Sequence, residues 1–164
     1  MSFHAGFLPE ESGPERTKLI ERLRAYIDVF AGHGVRIAFE TGQETATTLA
    51  AVLDEIDRET VGVNFDPANM ILYDKGDPIE ALKLLAPRVF QIHIKDATRT
   101  QTPGTWGEEV VVGTGEVDWP AFFAVVRDKE LAVDLMIERE AGDTRVADIQ
   151  TARKLVENEL GVPA

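Results

Sequence analysis

Four short apolar runs in this chain end in the same way, each on a residue able to bind a cation or move a proton. Val35–Phe39 is followed by Glu40, Val61–Phe65 by Asp66, and Ala132–Ile137 by Glu138, while Val89–Ile94 carries His93 near its end. Asp66 lies 26 residues after Glu40, His93 27 after Asp66, and Glu138 45 after His93. The first two intervals hold one strand–helix unit each, and the third holds one unit and a long loop. Between the runs, apolar residues recur at helical spacing. Pro14–Ala31 carries Leu19, Ile20, Leu23, Tyr26, Ile27 and Phe30. Thr45–Asp57 carries Leu49, Val52, Leu53 and Ile56, and Pro78–Leu85 carries Ile79, Leu82 and Leu85. Arg145–Leu160 carries Val146, Ile149, Ala152, Leu155 and Val156. Asp118–Lys129 opens on an acidic cap followed by Pro120. With a first apolar run at Ser2–Phe7, the order is strand–helix repeated five times. Continuous apolar strands joined by helices predict an α/β domain, residues 1–164, with a parallel sheet covered by helices.

In such a sheet all C-terminal strand ends lie on one face, and in a barrel they converge on its axis. Four residues distant in sequence therefore meet. Three carboxylates and an imidazole crowded together conflict electrostatically unless something neutralises them. A divalent cation does so, and an oxygen-rich set with one nitrogen suits Mn²⁺ or Mg²⁺, with Co²⁺, Fe²⁺ and Zn²⁺ as alternatives. Taken singly, each residue has a plainer use. An acid after a strand caps the next helix, Asp66 before Pro67 marks a turn, and a histidine between isoleucines belongs to a core. Four in register are harder to account for that way. Lys95, two residues after His93, points to the same face of its strand and is placed to hold a substrate hydroxyl or assist proton transfer.

Other features narrow the choice. No glycine-rich phosphate loop follows a strand, against a dinucleotide fold. The absence of cysteine removes disulfides and thiolate ligands. A net charge of -12 with scattered Lys and Arg disfavours nucleic acid as a partner. No apolar run approaches the roughly 18 residues of a membrane span, so a cytoplasmic protein without a membrane partner is expected. The long connection Asp96–Val117, with Pro103, Gly104, Gly107, Gly113 and Gly115, has the character of an active-site loop.

An ordered set of segments also carries a resemblance: His4-Ala5-Gly6-Phe7, Phe39-Glu40-Thr41-Gly42, Val63-Asn64-Phe65-Asp66-Pro67-Ala68-Asn69, Ile92-His93-Ile94-Lys95-Asp96, Gly113-Thr114-Gly115-Glu116-Val117-Asp118-Trp119 and Ile137-Glu138-Arg139-Glu140. With them the chain resembles the xylose isomerase-like TIM barrel superfamily, in particular its sugar phosphate isomerase/epimerase group. The resemblance implies a partial (β/α)₈ barrel of about five units, corresponding to strands four to eight. It implies metal ligation by Glu40, Asp66, His93 and Glu138, with Glu40 and Glu138 flanking a sugar or polyol and shuttling its proton. His4 and Asn69 would contact substrate; Asn69 stands where the epimerases often have His. The implied activity is sugar isomerisation or epimerisation through an enediolate. The alternatives are a lyase resembling inosose dehydratase and a truncated barrel without activity. A nuclease resembling endonuclease IV is disfavoured by the three histidines and the acidic charge. An open half-barrel exposes two sheet edges, so a homo-oligomer or a missing N-terminal segment is expected to cover them.

Overall fold

The computed structural model describes residues 1–102 and 104–161; Pro103 and residues 162–164 lie outside the described residues. The apolar runs become parallel strands: β1 (Ser2–Phe3), β2 (Ile37–Glu40), β3 (Val61–Phe65) and β4 (Val89–Ile94). A short pair, β5 (Asp96–Thr98) and β6 (Glu108–Val110), precedes the last strand, β7 (Asp134–Ile137). The main sheet has the order β1-β2-β3-β4-β7, all parallel, half of a barrel wall. All residues of the central strand β3 are buried, as expected for a parallel strand covered on both faces. β7, at an edge, alternates exposed and partly buried residues.

The helices are α1 (Pro14–Ala31), α2 (Ala46–Ile56), α3 (Pro67–Leu72), α4 (Pro78–Leu85), α5 (Trp119–Asp128) and α6 (Arg145–Leu160). Their starts follow from local chemistry. Thr45, Asp66, Asp77 and Asp118 each accept a backbone N–H of the first turn, and proline occupies an early position in α1, α3, α4 and α5. The stripe Leu49, Val52, Leu53 and Ile56 of α2 is fully buried and packs into one continuous core that extends from Leu8 to Ala152.

Three sequence expectations are corrected. The run Ser2–Phe7 is a strand only at Ser2–Phe3, because an edge strand has one neighbour and the chain turns at Gly6, where φ is 85°. The expected buried stripe of α6 is only partly realised. Ala152 is buried but Val146 is 74% exposed, since α6 lies over the edge strand with a helix neighbour on one side only. The Asp96–Val117 connection is no open loop: β5 and β6 form an antiparallel hairpin, with Asp96 paired to Val110 and Thr98 to Glu108.

That hairpin is anchored by two close approaches. Gly107 donates its N–H to the Leu72 carbonyl at the end of α3 (2.9 Å), and a Cβ at this position would fall 2.1 Å from the Thr98 carbonyl oxygen. Asp96, 1% exposed, accepts from the N–H groups of Ala97 and Val117 through Oδ1 and from Gly113, Gly115 and the Trp119 indole through Oδ2. One carboxylate thus gathers the segment between the hairpin and α5.

Candidate metal and catalytic site

Glu40 ends β2, His93 lies in β4, and Asp66 and Glu138 directly follow β3 and β7, four consecutive neighbours in the sheet. Parallel pairing therefore brings them together without contortion of the chain. One ligand atom from each lies within 4.8 Å of all the others. His93 Nδ1 is 3.6 Å from Glu40 Oε1, 3.6 Å from Asp66 Oδ2 and 3.5 Å from Glu138 Oε2. Octahedral ligands at about 2.1 Å from a cation stand about 3 Å apart when adjacent and about 4 Å when opposite, so the cluster has the right dimensions. Two of its atoms, His93 Nδ1 and Asp66 Oδ2, are buried without a hydrogen-bond partner. Orphaned polar atoms aimed at a common point fit a cation, since otherwise their desolvation is uncompensated.

The plain and the functional readings of Asp66 are both realised, by different oxygens. Oδ1 caps α3 by accepting from Asn69 N (3.0 Å), while Oδ2 faces the cluster. Thr41 Oγ1 accepts from Asp66 N (2.8 Å) and donates to its carbonyl oxygen (2.9 Å), fixing the backbone from the neighbouring strand end.

Asn64 is a participant that sequence reasoning missed. Its amide lies 3.0 Å from His93 Nε2, and its Oδ1 is buried and unpartnered. The two orientations of an Asn amide are isosteric. As placed, Asn64 Nδ2 faces the ring and also donates to Glu40 Oε2 (3.4 Å); an amide turned the other way would accept Nε2–H and leave the Nδ1 lone pair facing the carboxylates, the tautomer a metal ligand needs. Its signal in the sequence is its place two residues before Asp66, on the same face of β3.

The other expected residues surround the cluster. Asn69 donates to Glu40 Oε1 (2.9 Å), and His4 Nε2 stands 3.5 Å from the same oxygen. Both thus meet Glu40. Lys95, 2% exposed, bridges Glu138 Oε2 (2.8 Å) and Glu140 Oε2 (2.6 Å), with Asp66 Oδ2 at 3.9 Å. Arg139 joins Glu109 of β6 to Asp148 of α6, both at 2.9 Å, which locks the segment carrying Glu138 and Glu140.

The charges interlock. Burial pulls the His93 pKa down, but the carboxylates of Asp66, Glu138 and Glu40 outweigh it and raise it to about 11. His93, and then Lys95, hold Glu138 down at about 2 against its burial. Burial alone would raise Glu40, yet His93 and His4 bring it below the usual carboxylate range. For Asp66 burial prevails and the pKa is raised. Burial lowers Lys95, but Asp66, Glu138 and Glu140 more than restore it, so it stays cationic. The imidazolium occupies electrostatically the place a divalent cation would take. The arrangement is able to bind such an ion, and its carboxylates Glu40 and Glu138 come from the two outermost of the four neighbouring strands, β2 and β7.

The chain is 28% identical over 129 residues to 3-oxo-isoapionate decarboxylase of Pectobacterium atrosepticum, covering 76% of this chain and 46% of that protein. Among solved structures, a xylose isomerase domain protein from Planctomyces limnophilus superposes with a TM-score of 0.89 at 37% identity, over 96% of this chain and 56% of that one. An L-ribulose 3-epimerase superposes with a TM-score of 0.74 at 17% identity, over 95% and 58%, a likeness of fold. The chain therefore spans about half the length of these relatives. The family model described as xylose isomerase-like TIM barrel matches residues 1–158, and with this match over nearly its whole length the chain belongs to that family.

Proposed function

We propose that the chain is the metal-binding part of a sugar isomerase or epimerase that moves a proton next to a carbonyl. The convergence of Glu40, Asp66, His93 and Glu138 around two orphaned buried atoms carries this reading. A bound divalent ion, Mn²⁺ or Mg²⁺ by the oxygen-rich donor set, supplies Lewis acidity toward the carbonyl and offsets the charge that develops when a carbon-bound proton leaves. The chain's own residues do the rest. Glu40, held by Asn69 and His4, and Glu138, held by Lys95, stand on either side of the substrate carbon. One takes the proton from one face and the other returns a proton, to the same carbon for epimerisation or to its neighbour for isomerisation. Lys95, cationic and buried, hydrogen-bonds a substrate oxygen or relays the proton through Glu138. The burial of Lys95, 2% exposed, strengthens both effects.

A second reading is favoured by the decarboxylase relative. Loss of CO₂ from a 3-oxo acid leaves the same kind of enolate, and only its reprotonation by Glu40 or Glu138 is then required. Loss of a β-hydroxyl, as in a dehydratase, uses the same start. One experiment sorts them. The Mn²⁺-loaded chain is incubated with a ketose in D₂O and the products are followed by NMR and mass spectrometry. Deuterium entering the carbon beside the carbonyl, abolished by Glu40→Gln or Glu138→Gln, supports the isomerase/epimerase reading. A dehydrated product, or CO₂ released from a 3-oxo sugar acid with no exchange into ketoses, moves the assignment to a lyase. Full metal occupancy without any turnover corresponds to a barrel segment that binds metal but does not catalyse.

A further inference from the structure

Lys95 occupies an oxygen that the metal cluster needs. Its Nζ lies 2.8 Å from Glu138 Oε2, and that same Oε2 faces His93 Nδ1 at 3.5 Å. An ammonium and a divalent cation therefore compete for one carboxylate oxygen. A second acceptor relieves the competition. Glu140 Oε2 accepts from Lys95 Nζ at 2.6 Å, the shorter of the two bonds. Glu140 is not a member of the cluster, and its side chain is 69% exposed. A carboxylate standing largely in water holds a partner well only where its backbone is fixed, since a loose side chain gives up rotamer freedom for the contact.

Glu109 fixes that backbone. Its carboxylate, 8% exposed, accepts from Arg139 Nη1 (2.9 Å) and Glu140 N (3.0 Å) through Oε1 and from Ala141 N (3.2 Å) through Oε2. Asp148 accepts from Arg139 Nε at 2.9 Å and from the Thr144 hydroxyl at 3.0 Å. Gly142, at φ 81°, leaves room for the guanidinium, because a Cβ there would fall 2.8 Å from Arg139 Nη2. The other end of the Lys95–Glu140 bond hangs on the same hairpin. β5 starts at the residue after Lys95, and its Ala97 is paired with Glu109 of β6. The hairpin thus carries Lys95 at one strand and, through Glu109, the turn bearing Glu140 at the other. The side chains of Glu109, Arg139 and Asp148 are each 10% exposed or less, and all three are spent on this turn.

We propose that Glu109 and Glu140 are positioning residues for the metal cluster: Glu109 sets the turn after β7 so that Glu140 draws the Lys95 ammonium away from Glu138 and leaves Glu138 Oε2 to the cation. This rests on the metal-site reading above and adds to it how the site is kept open to the ion. When the ion takes Oε2, Lys95 keeps a charge-assisted bond to Glu140, and no buried ammonium is left unpaired. Without the Glu140 carboxylate, Asp66 Oδ2 at 3.9 Å is too far to hydrogen-bond. Glu138 is then the remaining acceptor of Lys95 among the described residues, and the ion has to displace the ammonium from it.

Isothermal titration of the metal-free chain with Mn²⁺ tests this. Glu140→Gln should weaken Mn²⁺ binding about tenfold, a difference of about 1.4 kcal/mol. In a Lys95→Met background the same substitution should change the affinity less than about twofold, because the ammonium it draws off is gone. Glu109→Gln should act in the same direction as Glu140→Gln and add less than about twofold to it in the double variant. Circular dichroism checks that each variant keeps its helices. Where Glu109→Gln fails to fold, Arg139→Lys, which keeps the charge but loosens the link to Glu109, takes its place. A tenfold loss that persists in the Lys95→Met background means that the Glu140 charge acts on the ion directly, and it overturns the proposal. Full additivity of Glu109→Gln with Glu140→Gln overturns the part of Glu109. Unchanged affinity in Glu140→Gln overturns the proposal and leaves the metal reading standing, whereas a parent chain that takes up no Mn²⁺ overturns both.

Discussion

At the residue scale the informative contrast is between Asp66 and His93. Both are buried, and each spends one polar atom on structure and leaves the other facing the cluster. This division of labour predicts distinct outcomes for substitutions. Asp66→Asn keeps a cap acceptor but puts a neutral amide in the cluster, and Glu138→Gln does the same on the other side. Each should lower Mn²⁺ occupancy at least about tenfold by elemental analysis after dialysis. Asn64→Leu, which touches no metal, should cost about tenfold in Mn²⁺ affinity, because the imidazole loses the nearer of its two amide partners and keeps only Gln91, 3.3 Å from Nε2. Full occupancy in the Asp66 and Glu138 variants would refute the ligand assignment. The pH dependence has a definite sign. With its pKa raised to about 11 by the surrounding carboxylates, metal-free His93 carries a proton at neutral pH that a cation must displace. Mn²⁺ affinity should then rise about tenfold per pH unit between pH 6 and 8, with close to one proton released. Without metal the same shifts govern stability. The His93 contribution is full below its ordinary pKa of 6.5 and is lost as pH rises through about 11. The Glu138 contribution is full above 4.5 and is lost as pH falls through about 2. Thermal melts of the metal-free chain should show these two effects jointly at their greatest between about pH 4.5 and 6.5.

At the scale of elements, the hairpin and the segment after it depend on one carboxylate. Asp96 receives two donors on one oxygen and three on the other. Asp96→Ala leaves buried N–H groups without an acceptor and should cost about 3 kcal/mol or more in urea unfolding. Asp96→Asn should cost nearly as much, since either amide orientation turns an NH₂ toward two or three N–H groups. An Asn variant as stable as the parent would contradict this account. The helix starts and strand positions were legible in the sequence because they depend on neighbours a few residues away. Proline at an early position and Thr45, Asp77 or Asp118 at the cap are local signals. The β5–β6 hairpin was not legible. Its strands are three residues each, and its position depends on Leu72, 35 residues before Gly107. The six-residue helix α3 was likewise hidden, its residues too few to reveal a period.

At the scale of the whole molecule, the sheet of the described residues ends in two open edges, β1 and β7. Closed barrels have none. β7 leaves Met136 49% exposed, and an unpaired edge beside an apolar face is a template for further strands. The 164-residue chain expressed alone should therefore self-associate at micromolar concentration, seen by light scattering and sedimentation velocity. Met136→Lys, which places a charge beside the open edge, should shift the population toward monomer. A monodisperse monomer in both cases would mean the edges are covered by the chain's own segments. Among the described residues no helix is long and apolar enough to cross a membrane.

What the sequence determined by itself is the alternation of buried strands and amphipathic helices and the placing of Glu40, Asp66, His93 and Glu138 at strand ends. These follow from periodicity and from the rule that parallel strands share a C-terminal face, both readable along the chain. Only the tertiary structure decided that Asn64 supports His93, that Asn69 and His4 both meet Glu40, that Lys95 joins Glu138 to Glu140, and that Trp106 stands against Tyr73. Each of these is a contact between different strands or loops. Its partner is chosen by sheet register and loop packing, and side-chain chemistry alone carries no information about which distant residue will arrive within reach.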